Sequence, residues 1–138
     1  MNDAMSEAEP YHAILTLLES YFDGLYHSDS ALLCTVFHPN LQYVNTVPDD
    51  YRVLTWAEYK AVLDQRAAPA SKGERRNERI ISIETGDRNL AFVRVEMTMM
   101  GRLYTDFLTL ILYQGQWLII SKVFNYKPDD NHITNKGS

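Results

Sequence analysis

The sequence holds a single cysteine, Cys34, among 138 residues. An internal disulfide is therefore impossible, and no Cys-x-x-Cys motif exists for zinc or redox chemistry. Its six glycines and five prolines are scattered, and no P-loop, Gly-x-Ser-x-Gly elbow, internal repeat or interdomain linker is present. No apolar run approaches the roughly 18 residues of a membrane span. The N-terminal residues carry acids rather than a basic region ahead of an apolar stretch, so no signal peptide is expected. Positive charge is also in deficit: 13 Lys and Arg stand against 18 Asp and Glu, for a net charge of −5. That balance argues against a nucleic-acid partner. The densest basic run, Lys72 to Arg79, has Glu74 and Glu78 interleaved and reads as solvated. The histidines, His12, His27, His38 and His132, never stand at the i, i+4 spacing that gathers metal ligands on a helix. The expectation is a cytoplasmic protein with no membrane partner, no metal and no cofactor.

What the chain does have is a globular apolar content, 46%, and nine tyrosines against five phenylalanines. Buried tyrosines need partners for their hydroxyls, so this excess suits a cavity lined by polar-tipped rings or a partly wet interface. The length fits one domain with a real core. Residues 1–10 are expected to be a flexible N-terminus, 11–127 the domain, and 128–138 a flexible tail.

Apolar residues at 14, 15, 18, 21, 22 and 25 mark one face of a helix. Gly24 and Ser28-Asp29-Ser30 end it. A short second helix follows, capped by Asp29 or Ser30, with Leu32, Leu33, Val36 and Phe37 apolar and Cys34 in its core. His38-Pro39 stops it, since the residue before proline disfavours helical geometry. Residues 41–47 alternate as a strand, and Pro48-Asp49-Asp50 turns. Thr55-Trp56-Ala57-Glu58 is a capping box opening a third helix to about Arg66, on which Trp56, Tyr59 and Leu63 share a face. Strands are then predicted at 79–84, 90–100 and 103–113, with another after residue 116. Helix, helix, strand, helix and four antiparallel strands make an α+β fold with helices on one face of a curved sheet.

The last two strands hold the most informative feature. Both are rich in β-branched and aromatic residues, yet Asp106 and Lys122 interrupt them. A lone buried charge is costly, so the two are either paired or facing a polar cavity. With a three-residue turn at 114–116, Leu108 lies opposite Lys122 and Phe124 opposite Asp106, and the charges share a face one diagonal step apart. With a two-residue turn, Gln114-Gly115, the register slips by one and the charges point to opposite faces. A shared face allows three roles: a salt bridge tying the strands, an anchor for a ligand, or an acid–base pair.

A family resemblance rests on Tyr21, Gly24 and Asp29, on Phe37-His38-Pro39, Thr55-Trp56, Arg79-Ile80 with Ile83, and on Tyr104-Thr105-Asp106-Phe107-Leu108 with Leu110. It continues through Gly115-Gln116-Trp117-Leu118-Ile119 to Lys122-Val123-Phe124. Over roughly residues 11–127 the chain resembles the NTF2-like superfamily, and within it the small bacterial family labelled putative lumazine-binding. The resemblance implies a cone: three N-terminal helices packed on a strongly curved antiparallel or mixed sheet around an internal pocket. It also implies a homodimer through the outer face of the last strands. It would place several of Tyr21, Phe37, Tyr43, Trp56, Tyr59, Tyr104 and Phe107 on the cone wall.

Three functions follow as expectations, since one superfold serves many roles. The first is a domain binding a small planar aromatic or heteroaromatic molecule, through Tyr21, Phe37, Tyr43, Trp56, Tyr59, Tyr104, Asp106 and Lys122. The second is an enzyme of the SnoaL-like cyclase, isomerase or dehydratase type, with Asp106 as base and His38 or Tyr104 as acid. Two features weigh against it. The first strand offers no carboxylate for isomerase chemistry, and a lysine beside a carboxylate favours its charged form and so weakens it as a base. His38 is of interest because a helix C-terminus favours a protonated imidazole. The third is a structural dimerisation module.

Overall fold

The computed structural model describes residues 3–129; the predicted tail from residue 130, with His132, lies outside the described residues. The elements run α1 (Asp3–His27), α2 (Ser30–Cys34), β1 (Phe37–Asn45), β2 (Arg52–Leu54), α3 (Trp56–Gln65), β3 (Glu78–Gly86), β4 (Leu90–Met99), β5 (Arg102–Tyr113) and β6 (Gln116–Pro128). One six-stranded sheet has the order β2-β1-β6-β5-β4-β3. Its β3 to β6 half is an antiparallel meander, and β1 joins β6 in parallel. Register shifts in the β1–β6, β3–β4 and β5–β6 pairs bend and twist the strands where an extra residue is accommodated, and the sheet curls.

Alternation along each strand sends one set of side chains inward. Ala91, Val93, Val95 and Met97 of β4 and Leu108 and Leu110 of β5 are buried, as are Ile14, Leu18, Tyr21 and Leu25 of α1. Leu15, predicted to face inward, is exposed, and Leu17 takes the buried position. The backbone of α1 is helical from Asp3, ahead of the first apolar position.

Gly24 does not end the helix. It is buried inside α1 against α2, where an added Cβ would stand 2.5 Å from the Leu33 side chain. The stop is at Ser28, whose φ of 47° is left-handed. The Ser28 N–H bonds the Leu25 carbonyl and the Asp29 N–H bonds the Gly24 carbonyl, the pair of bonds of a Schellman closure. Asp29 then caps α2 by accepting from the Leu32 N–H.

The second helix is shorter than predicted. Thr35 closes it, its N–H and hydroxyl both bonding the Leu32 carbonyl, and Cys34 is exposed rather than in the core. Leu33 is the buried residue of this short turn, and it packs against Gly24 of α1. His38 and Pro39 therefore lie in β1, not at a helix end. Proline is tolerated there because the β1–β6 ladder is irregular between Phe37 and Gln42.

The third helix follows β1 and β2 rather than joining the first two at the N-terminus. Its capping box is present: the Glu58 N–H bonds the Thr55 hydroxyl, and the Thr55 N–H bonds the Glu58 carboxylate. β2 was not foreseen. Its three residues show no periodicity, and it exists because it pairs with the end of β1.

The β5–β6 hairpin combines both predicted registers. Tyr113 pairs with Gln116 across a two-residue turn, and Gln114 and Gly115 have φ of 50° and 80°, the signature of a type I′ turn. A bulge then absorbs Ile120, so that Thr109 pairs with Ser121, Leu108 with Lys122 and Asp106 with Phe124. The two-residue turn is correct, and so is the shared face for Asp106 and Lys122.

Candidate functional site

The inner face of β5 and β6 carries two parallel rows. Arg102, Tyr104 and Asp106 alternate along β5, and Lys122, Phe124 and Tyr126 along β6. Cross-strand pairing sets Asp106 beside Phe124 and Tyr104 beside Tyr126. The rows run from buried charges, through rings, to a half-buried arginine and tyrosine.

At the deep end, Asp106 and Lys122 are 1% and 4% exposed. The ammonium lies 3.1 Å from Asp106 Oδ2. Tyr21 on α1 completes the cluster: its hydroxyl donates to the same Oδ2 at 2.5 Å and accepts from Lys122 Nζ. Burial, and then the Asp106 charge, push the Tyr21 phenol well above its ordinary value, so it stays a proton donor. The ammonium also sits over three rings, 4.8 Å from the Tyr21 centroid, 5.2 Å from Phe124 and 5.8 Å from Tyr59. Both charges are thus compensated, with one exception. Asp106 Oδ1 is buried and has no hydrogen-bond partner among the described residues.

Asp106 and Lys122 line a recess of about 180 Å³, together with Tyr43, Tyr59, Tyr104 and Phe124. These rings form a packed chain: Tyr59–Tyr43 at 4.4 Å, Tyr43–Phe124 at 5.1 Å, Phe124–Tyr104 at 5.9 Å and Tyr104–Tyr126 at 5.2 Å. Burial raises the Tyr43 phenol to about 12 and raises Tyr59 as well.

The mouth holds a second polar cluster. Asp50 Oδ2 accepts from the Tyr126 hydroxyl at 2.6 Å and from Asn45 Nδ2 at 2.9 Å, and Arg52 stands 3.5 Å from its Oδ1. The Tyr126 hydrogen bond, chiefly, holds the Asp50 carboxyl below its ordinary value. Arg102 lies over the Tyr126 ring, 4.1 Å from its centroid, and donates to the Tyr104 hydroxyl at 3.2 Å.

Of the predicted residues, Tyr43, Tyr59, Tyr104, Asp106 and Lys122 meet at the recess. Tyr21, Phe37 and Trp56 are not among its lining residues. Tyr21 stands behind the ion pair. Phe37 packs between the rings of Tyr21 and Trp56, with centroids at 6.0 and 5.1 Å, as core. Phe107 is on the opposite face, 40% exposed. His38, offered as an acid, is also apart. Its Nδ1 accepts from the Asn40 N–H at 3.0 Å and its ring meets Tyr113 edge-on at 4.5 Å, near the far end of the hairpin. The helix end invoked for it does not exist.

Sequence reasoning missed the mouth residues Asn45, Asp50, Arg52, Arg102 and Tyr126. Two of them were within reach, because Arg102 and Tyr126 continue the two-residue alternation that marked Asp106 and Lys122. Asn45, Asp50 and Arg52 surround a single 3₁₀ turn, Pro48–Asp50, and carry no periodic signal.

The architecture has solved counterparts. An NTF2-like protein of unknown function from Silicibacter pomeroyi superposes with a TM-score of 0.78 at 25% identity, over 88% of this chain and 98% of that one. One from Shewanella baltica gives 0.77 at 23% identity, over 88% and 96%. Another, from Methylobacillus flagellatus, gives 0.76 at 18%, over 87% and 94%. No curated protein matches the chain. Residues 9–125 match the family described as putative lumazine-binding. That match spans most of the chain and agrees with its curled mixed sheet, so the chain belongs to this family of NTF2-like proteins.

Proposed function

We propose that the chain binds a small planar ring compound in the recess on the inner face of β5 and β6. The observation that carries this is the Oδ1 of Asp106, buried at the recess and without a partner among the described residues. A buried acceptor without a donor costs about 1–3 kcal/mol, and a ligand N–H or O–H arriving at the recess would remove that cost. The other carboxylate oxygen is already held by Tyr21 and Lys122. Tyr43, Tyr59, Tyr104 and Phe124 supply flat apolar surface for a ring, the usual composition of a small-molecule site.

Binding is favoured over catalysis by the same geometry. A general base must be free to take a proton, whereas Asp106 is engaged by a lysine and a phenol that stabilise its charge. His38 is remote, and Tyr104, the other predicted acid, lines the recess with its hydroxyl accepting from Arg102. The family description names lumazine, a fused two-ring compound. A cavity of about 150 Å³ accommodates benzene, so a recess of about 180 Å³ holds one ring, and a fused second ring would project into the mouth.

The test is native mass spectrometry of freshly purified protein beside its denatured spectrum. A co-purified mass that disappears on denaturation, or a thermal shift with flavins, pterins or smaller rings, supports binding. If neither is seen, the recess is structural. Asp106→Asn separates binder from enzyme: a binder keeps part of its affinity, while an enzyme relying on that base loses most of its rate.

A second reading concerns the outer sheet face and is compatible with the first. Phe92 and Phe107, both more than a third exposed, pack edge-on at 5.7 Å, with Arg94 5.2 Å from the Phe107 ring. An exposed aromatic pair on the outer sheet face suits a second copy of the chain. Light scattering should give a dimer mass that falls to the monomer in Phe107→Arg; a monomeric parent protein would end this reading.

A further inference from the structure

The recess is charged in a way the chain is not. Four cations, Arg52, Arg66, Arg102 and Lys122, line it against two carboxylates, Asp50 and Asp106, on a protein of net charge −5. A cleft of net positive charge on a protein of net negative charge concentrates anions.

The charges are also ordered. Along the inner row of β5, Asp106 is deepest, Tyr104 is in the middle and Arg102 is at the mouth. Side chains two residues apart on a strand are about 6.6 Å apart, so the Cα atoms of Asp106 and Arg102 are separated by about 13 Å. The arginine side chain covers part of that span, and what remains is about the width of one substituted ring. The row therefore presents an acceptor, then an aromatic surface, then a cation. Arg102 lies within the field of Asp50, but its direct contacts are the neutral Tyr126 ring and Tyr104 hydroxyl, so its planar fork can take a second acceptor such as a carboxylate.

We propose that the ligand of this recess is a single-ring organic anion, with a ring N–H or O–H donating to Asp106 Oδ1 and its negative group held at the mouth by Arg102 within the field of Arg52. This rests on the recess being a binding site and adds to it the class of molecule. The neighbouring lysine does not compete for the anion, because Lys122 is committed to Asp106 and Tyr21 at the deep end.

The test uses two matched pairs of probes, 4-hydroxybenzoate with 4-hydroxybenzamide and pyrrole-2-carboxylate with pyrrole-2-carboxamide. Each pair shares ring and donor and differs in charge. In calorimetric titration of the full chain, at least one acid should bind about tenfold more tightly than its amide, the scale of one hydrogen bond to a charged group. Added salt should erode that difference. Arg102→Gln should bring acid and amide to within about twofold of each other. If an amide binds as well as its acid and Arg102→Gln changes neither, the anion assignment is overturned and the binding site survives. If none of the four binds at millimolar concentration and no mass co-purifies, both fall together. Should Arg102→Gln fail to fold, the comparison of acid with amide on the natural chain decides the matter by itself.

Discussion

Two clusters in this molecule are built from the same parts in different surroundings. At the base of the recess, Asp106 accepts from the Tyr21 hydroxyl at 2.5 Å and pairs with Lys122 at 3.1 Å. At the mouth, Asp50 accepts from the Tyr126 hydroxyl at 2.6 Å and faces Arg52 at 3.5 Å. The Asp106 side chain is 1% exposed and that of Asp50 is 32% exposed. Burial is the main difference between them. In the base cluster the bonds among Tyr21, Asp106 and Lys122 are buried, so each group depends on the others. At the mouth, Asn45 is buried, but solvent reaches Asp50 and Arg52, so these two are free to rearrange around a ligand. The rigid cluster fixes where a donor must sit, and the wet one tunes what else is accepted.

The sharpest way to break that comparison is to remove one carboxylate at a time. Asp106→Ala leaves Lys122 buried without its counter-charge and should destabilise the fold by about 3–5 kcal/mol. Asp50→Ala at the mouth should cost under about 1 kcal/mol. Urea unfolding of the two variants side by side measures both, and equal losses would refute the distinction. Replacing the whole base pair, Asp106→Leu with Lys122→Met, should recover most of the loss, since an apolar pair of similar volume often matches a buried ion pair. Recovery of stability with loss of ligand would show that the charges are kept for binding.

Next in size is Tyr21→Phe. It removes the donor to Asp106 and the acceptor for Lys122 at once, and about 1–3 kcal/mol should be lost. Tyr126→Phe, whose partner Asp50 can turn to water, should lose about 1 kcal/mol or less. If Tyr126→Phe proved the more damaging, the mouth would be the structural centre.

How much of this was legible in the sequence follows the range of the forces involved. The strands other than β2, the capping box at Thr55 and the odd position of Asp106 and Lys122 depend on near neighbours and on alternation, and all were readable. The hairpin register was readable only as two alternatives. The structure uses the two-residue turn from one and the pairing from the other, reconciled by a bulge at Ile120 that no local pattern announces. Tyr21 was singled out as a ring on the wall, yet its partnership with Asp106 depends on where α1 docks, a contact across 85 positions of sequence. The assignment of His38 failed for a local reason. Thr35 ended the helix early, and the proline favoured an extended residue before it in a strand as readily as at a helix end.

Alkaline titration sharpens the comparison without any variant. Tyr21, Tyr43 and Tyr59 are all raised by burial, Tyr43 to about 12. In the unfolded chain they ionise near 10. Below that value they contribute no pH dependence. Above it, the unfolded chain releases protons that the folded chain retains, so stability declines as pH rises. Phenolate absorbance should show a late-titrating group of tyrosines that merges with the rest on unfolding. In Tyr21→Phe the alkaline decline should be shallower. A single titration for all nine tyrosines would mean that the rings are wet.

The smallest effect lies at the mouth and has the opposite sign. The Asp50 carboxyl is held below its ordinary value, first by the Tyr126 hydrogen bond and further by Arg52 and Asn45, against a partial desolvation. Its contribution to stability is therefore fully present above the unfolded carboxylate value, about 4, and is lost as pH falls through the lower folded value. Tyr126→Phe removes the leading cause, so the Asp50 midpoint should rise toward the unfolded value, followed by the carboxyl carbon resonance in an acid titration. Tyr21→Phe should leave that midpoint unmoved, because the base cluster shares no hydrogen bond with Asp50. A shift of Asp50 on Tyr21→Phe would mean that the two clusters are one network, and that the mouth cannot adjust to a ligand without disturbing the base.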